Sequence, residues 1–317
     1  MPPLPPPVIE ARACSGAEIA ALTSDAPAPI VLTCLATLTA GQRVTRRVVF
    51  EGVGSSGAGI ACNGARIGRP GVASSVQAPT VLIQSASTPA GWSRPTDVTL
   101  GGCIVHGNIR VRGMGAGSDL EPIRASSRTV DHTASTQEAA PTRVRLTDLT
   151  LIGTGSIPLY VGPGVTDLTF EGSRVSGRSV STAVYLDAES AGNVIRGVSF
   201  SIRTGREQIA VDGSARNRIE RNSFALGGRG GVFLYRNCGE DGVIRHQTPS
   251  DNVITGNTFT GVRWLWPNAV VVGSREGRRR YCAADTGWAF GSSADNGDHA
   301  DRNVVERNVL GFGWRPF

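Results

Sequence analysis

Asp187 and Asp212 each close a short apolar run, Val184 to Leu186 and Ile209 to Val211, and Arg236 follows a comparable run that ends at Tyr235. If the runs stack one above another, the two carboxylates lie about 5 Å apart, and both ionise only with a cation between them or with one proton shared. A Ca2+ ion there would bind a substrate carboxylate and acidify the sugar C5 proton, with Arg236 or His246 as base and Tyr235 as acid. The same pair could instead be the two carboxylates of a glycoside hydrolase. If Arg236 itself is the cation, the trio is a salt-bridge ladder with no part in catalysis.

A second concentration of functional groups follows at once: Asn237, Glu240, Asp241, Arg245, His246 and Gln247. His246 sits in the densest polar surroundings of the four histidines, and imidazole is the side chain suited to acid–base work, although Arg245 and His246 could equally brace a loop. His106, His132 and His299 stand in less suggestive company. Further on, Arg275, Arg278, Arg279 and Arg280 form a basic loop before Cys282. A Cys238–Cys282 disulfide would hold that loop against the Arg236 and His246 loop as one arginine-lined wall. Arg245, Gln247, Glu240, Arg275 and Arg279 are then contacts for an anionic glycan. Tyr185, Trp264 and Trp266 could stack on sugar rings, with burial in a core as the plain alternative. The segment from Asp295 to Asp301 lacks the spacing of a helix–loop–helix calcium site.

Composition narrows the chemistry. The 317 residues include 32 basic ones, and all are arginine, which excludes Schiff-base and phosphate-loop lysines. A net charge of +6 with no dense basic stripe fits an acidic polysaccharide better than nucleic acid. No apolar run approaches the roughly 20 residues that span a bilayer. Six cysteines (Cys14, Cys34, Cys62, Cys103, Cys238, Cys282) without metal-site spacing read as disulfides, neighbour pairing being preferred among fifteen connectivities. Disulfides imply a secreted or periplasmic protein, and the proline-rich start reads as a mature chain whose signal peptide has been removed.

The elements that must position these groups show in a repeated octet, beginning with Asn193, Asn217, Asn252 and Asn303 and ending in an apolar residue such as Phe200, Phe224, Phe259 or Leu310. Weaker copies begin at Val98, Val144 and Leu168. The unit is about 24 residues; the spacing of 35 before Asn252 reads as an insertion, and that of 51 before Asn303 as a skipped degenerate coil plus a loop. Within it, apolar residues alternate over only three to five positions between Gly, Asn or Ser breaks, which is strand and not helix. Such short strands bury a core only by stacking coil on coil. The fold class predicted is all-β: a right-handed parallel β-helix of about 8–10 coils over residues 31–317, with long loops at about 236–251 and 273–302. Residues 1–30 form a proline-rich segment and a short capping helix, with Ser15 and Glu18 as its capping box. Asn at a repeated corner tolerates the left-handed region and can bond the next coil's Asn as a ladder.

The stretch from Gly230 to Asn308 resembles the bacterial secreted right-handed parallel β-helix repeat proteins of the pectin-lyase-like superfamily. The resemblance rests on Tyr235 to Glu240, Arg245 to Ser250, Gly273 to Arg275, and Tyr281 with Cys282. It implies extracellular polysaccharide as partner, cleaved by a lyase or a hydrolase or merely bound, and a homotrimer as the assembly such proteins often form. The Ca2+ alternative above resembles the pectate lyase arrangement. Elimination at a uronate is the leading expectation.

Overall fold

A computed structural model describes residues 9–115, 119–262, 268–278 and 287–312, with the side chains of Glu240, Val262 and Phe312 left aside. Nine coils wind through three parallel sheets. The first sheet stacks Ile30–Val31, Val48–Glu51, Val81–Gln84, Ile109–Arg112, Leu159–Val161, Val184–Leu186, Ile209–Asp212, Val232–Tyr235 and Val270–Val272 in chain order. The second runs from Leu35–Thr37 to Val304–Glu306, and the third from Arg43–Val44 to Val309–Phe312.

Every coil repeats the same inward and outward choice, so like meets like along the axis. Ile109, Leu159, Val184, Ile209 and Val232 align in register and are all fully buried. Phe200, Phe224 and Phe259, the octet ends, stack with ring centroids 4.8 and 4.7 Å apart. The residues between them alternate outward, as strand geometry requires.

Two asparagine ladders run along the stack. In the first, Asn193 and Asn217 donate their side-chain amides to the Oδ1 of the next coil's Asn217 and Asn252, at 3.0 and 2.8 Å, and Asn252 donates to Asn303. The second, Asn222 to Asn257 to Asn308, has the same pattern. Just before the first ladder, Asp97, Arg143, Asp167, Arg216, Asp251 and Arg302 hold φ between 53 and 59°, the left-handed corner of successive coils. Gly57 and Gly192 take that corner in two further coils at φ 71 and 69°, and a Cβ on Gly192 would meet Asp167 Oδ1 at 2.8 Å.

The helix Gly16–Thr23 covers the first coil. Ser15 and Glu18 form its capping box, and Leu22 is fully buried. Cys14–Cys34 fastens this cap, and Cys62–Cys103 links the second and third coils. Cys238 is disulfide-bonded too, and its expected partner Cys282 lies outside the described residues.

Four insertions leave the coil at one place, the end of a first-sheet strand. They carry the hairpin Ala86–Thr88/Gly91–Ser93, the helices Glu121–Ser127 and His132–Ala139, the loop from Arg236 to Asp251, and the segment from Gly273 to Asn303. Sequence alternation did not reveal the helix pair. Its signal was local: Pro122 in the first turn behind an acidic Glu121.

Candidate active site

The insertions wall a cleft over the outward face of the first sheet. Its volume is about 300 Å³, and Arg110, Arg112, His132, Tyr160, Asp187 and Arg245 line it. Arg110 and Tyr160 are outward neighbours in adjacent coils, and Tyr185 continues the row. The Arg110 guanidinium lies over the Tyr160 ring, 4.1 Å from its centroid. Its Nε and Nη1 are buried and find no acceptor among the described residues.

Asp187 is the centre of the polar contacts. Its Oδ2 accepts from the Tyr160 hydroxyl, and its Oδ1 accepts from Arg245 Nη1 at 2.7 Å and from the Ala188 backbone N–H at 2.8 Å. Burial, and then the Asp187 charge, push the Tyr160 phenol far above its usual range, so it stays protonated. On the wall from the helix pair, His132 shares Nδ1 contacts with Ser126 Oγ and Thr136 Oγ1 at 2.9 and 3.1 Å. Burial, then the neighbouring His246 and Arg245, lower its pKa to about 3, which keeps the imidazole neutral.

Asp212 stacks beside Asp187 one coil on, as the alternation predicts, but it is fully buried. Its Oδ2 accepts from Tyr185 and from the Asn237 side-chain amide, both at 2.5 Å, and its Oδ1 from the Asn237 backbone at 2.7 Å. Burial raises its pKa and the Asp187 charge adds to this, against the opposing pull of Arg245 and the Tyr185 hydrogen bond. The alignment of Arg236 with the two aspartates is corrected by one residue: Tyr235 pairs with Asp212. Arg236 turns away instead, donating to the carbonyls of Gly297 and Asp295 and to Asp295 Oδ1 at 2.9 Å. The cation beside the aspartates is Arg245.

A Ca2+ ion does not fit between these carboxylates as arranged, because all four oxygens already accept N–H or O–H donors and a guanidinium adjoins them. Among the described residues no cluster of three or more His, Cys, Asp or Glu is spaced to hold a metal.

The other expected groups are mostly bound up in the scaffold. Tyr235 is buried beneath the Arg275 guanidinium, 3.9 Å from its ring centroid, and its hydroxyl donates to Glu207 at 3.0 Å and accepts from Arg206. His246 Nε2 donates to the Ser127 carbonyl at 2.7 Å, fixing the loop to the helix pair. Gln247 donates to the carbonyls of Ser190 and Gly213. Asp298, fully buried, accepts from the backbone of Arg236, Arg275 and Glu276. Arg279, Trp264, Trp266 and Cys282, and the side chain of Glu240, lie outside the described residues. Sequence reasoning missed Tyr160, Arg110 and Arg112. Tyr160 was accessible in principle, since Leu159 to Val161 repeats the pattern of Val184 to Leu186 one coil earlier.

Three parallel sheets, wound coil on coil and capped at the first coil, define a right-handed parallel β-helix. Comparison with solved structures finds the same fold in an alginate lyase from Paenibacillus sp. str. FPU-7, at 13% identity and a TM-score of 0.50, covering 92% of this chain and 94% of that one. The Dettilon tailspike protein is similar at 12% identity and a TM-score of 0.41, over 90% of this chain and 60% of that one. An endo-xylogalacturonan hydrolase from Aspergillus tubingensis is similar at 10% identity and a TM-score of 0.36, over 88% and 85%. At these identities the likeness is one of fold. No family model and no curated protein matches the chain.

Proposed function

We propose that this chain is an extracytoplasmic carbohydrate-active β-helix that cleaves an acidic polysaccharide by β-elimination at a uronate. The observation that carries the reading is the cleft's grouping of Arg110, Arg112 and Arg245 with the Tyr160–Asp187 hydrogen bond. Disulfides accord with an oxidising compartment, and no described helix is long and apolar enough to cross a membrane. An alginate lyase on a similar fold is in keeping with this chemistry.

Arg110 brings a cation with unmet N–H donors, and Arg112 a second cation, to receive a substrate carboxylate. Neutralising that carboxylate acidifies the adjacent C5–H. The C5 proton passes to the Tyr160 oxygen as the Tyr160 proton passes to Asp187. The C–H electron pair becomes the C4=C5 double bond, and the C4–O bond breaks. The departing oxygen takes its proton back through Tyr160, which restores the couple. Arg245 holds Asp187 in line to take that proton and return it. A hydrolase built on Asp187 and Asp212 is not favoured, because both carboxylates would have to touch the sugar and Asp212 has no exposed surface.

The test is a panel of uronate polymers read for near-ultraviolet absorbance and for reducing ends together. New absorbance that persists in EDTA is expected. Reducing ends without absorbance would make the chain a hydrolase, and silence in both channels a glycan binder.

A further inference from the structure

The outward face of the first sheet is open at one end of the cleft and shut at the other. In the sixth to eighth coils the row that ends the strands is covered, while Phe233 on the neighbouring row is half-buried. Tyr185 is 9% exposed, Asp212 0%, Tyr235 1% and Arg236 3%. The covers are polar and specific. Asn237 lies on Asp212, Arg245 reaches back to Asp187, and Arg275 lies over Tyr235. Loop and helix pair are also joined across the cleft: Arg124 Nε donates to the Asp241 carbonyl at 2.9 Å, and the Ile244 N–H to Ser127 Oγ at 3.0 Å. Met114, Ile123, Ala139 and Val243 pack together behind this junction.

Toward the N-terminal coils the row that ends these strands stays accessible, although Val49 and Leu82 beside it are buried. Arg112 pairs in register with Gln84, and Gln84 with Glu51, which is exposed. Here a second depression of about 430 Å³ opens, lined by Glu51, Gln84, Trp92 and Asp119 among others. Adjacent coils are about 4.8 Å apart, so the floor between Asp187 and Glu51 spans several sugar residues.

We infer that the cleft receives the end of a polysaccharide chain, with the terminal sugars against Asp187 and Arg245 and the rest of the polymer leaving over Arg112, Gln84 and Glu51. The action is therefore exolytic. A chain threaded past the site in both directions would have to displace the covers on Asp212 and Tyr235. This inference rests on the elimination reading above and adds the direction and the terminus.

The experiment follows viscosity and near-ultraviolet absorbance together on a polymer that the panel shows to be cleaved, with the products sized. Absorbance should rise while viscosity holds, and one short unsaturated product should dominate from the first minutes. Early viscosity collapse with a ladder of sizes would overturn the chain-end inference and leave elimination standing. No absorbance on any uronate polymer would overturn both. The exit is tested by Glu51→Trp, an exposed position. The rate on polymer should fall about tenfold while the rate on the shortest cleavable oligosaccharide is unchanged; equal effects on both, or none, would reject the path over Glu51.

Discussion

Tyr160 and Arg110 form a pair in which the cation shields one face of the ring while the hydroxyl is committed to Asp187. Removing the hydroxyl in Tyr160→Phe leaves the ring and the stacked guanidinium in place, so the fold should survive. The expected loss is in kcat, about 10²-fold to 10⁴-fold, the range of a positioned acid–base group, with KM little changed. Arg110→Ala should instead raise KM and lower kcat together, because the same cation binds the carboxylate and acidifies the C5–H, and steady-state kinetics on one cleaved polymer separates the two. How far these residues could be read from the sequence depended on register. Asp187 and Asp212 each follow three apolar residues, and the period brought them together. The Val232 to Tyr235 run is one residue longer, so Arg236 passed for the third member and Tyr235 took the place. A one-residue slip in a strand reverses the face to which a side chain points. Arg245 could not be placed at all, because nothing local fixes where a loop of that length returns.

The ladders are the best test at the level of elements. Asn217 accepts from the backbone and side-chain N–H groups of Asn193, and donates to Asn252 and to Ser214 Oγ, all within the buried corner. Asn217→Ala strands several of these partners, at about 1–3 kcal/mol for each buried group left unsatisfied. A clear drop in the denaturant midpoint is expected, whereas alanine at an exposed strand position such as Ser199 should cost little. The charged corner gives a pH test. Asp97 is gripped by Arg143 through Nε and Nη2 at 2.8 and 2.6 Å. Burial works to raise its pKa, but Arg143 and the Ile9 N–H outweigh it and hold the carboxyl below the usual range. A depressed carboxyl stabilises the fold above its unfolded pKa and loses that contribution as pH falls through the folded value. Asp97→Asn, which tolerates the left-handed corner, should therefore lower the unfolding midpoint at pH 7, with the gap to wild type closing below about pH 4. The repeats were legible because each Asn must satisfy the same corner in every coil. The helix pair was not, since an insertion answers to the cleft and not to the repeat.

At the scale of the whole molecule, each coil touches mainly its two neighbours, so damage should stay local. Replacing Cys14 and Cys34 by serine releases the cap from the first coil. Hydrogen exchange should quicken around Leu32 to Leu38 and leave Ile209 to Val211 protected, with activity intact because the cleft lies coils away. Uniform loss of protection would show that the cap holds the entire stack. The same linear build draws the site from distant parts of the chain. Tyr160 and Asp187 come from the fifth and sixth coils, whereas Arg245 and Asn237 arrive from beyond the eighth first-sheet strand. The first six coils lay the floor, but the proposed site is complete only when the later loop returns to it, so a chain cut short before residue 245 would lack the cation that holds Asp187.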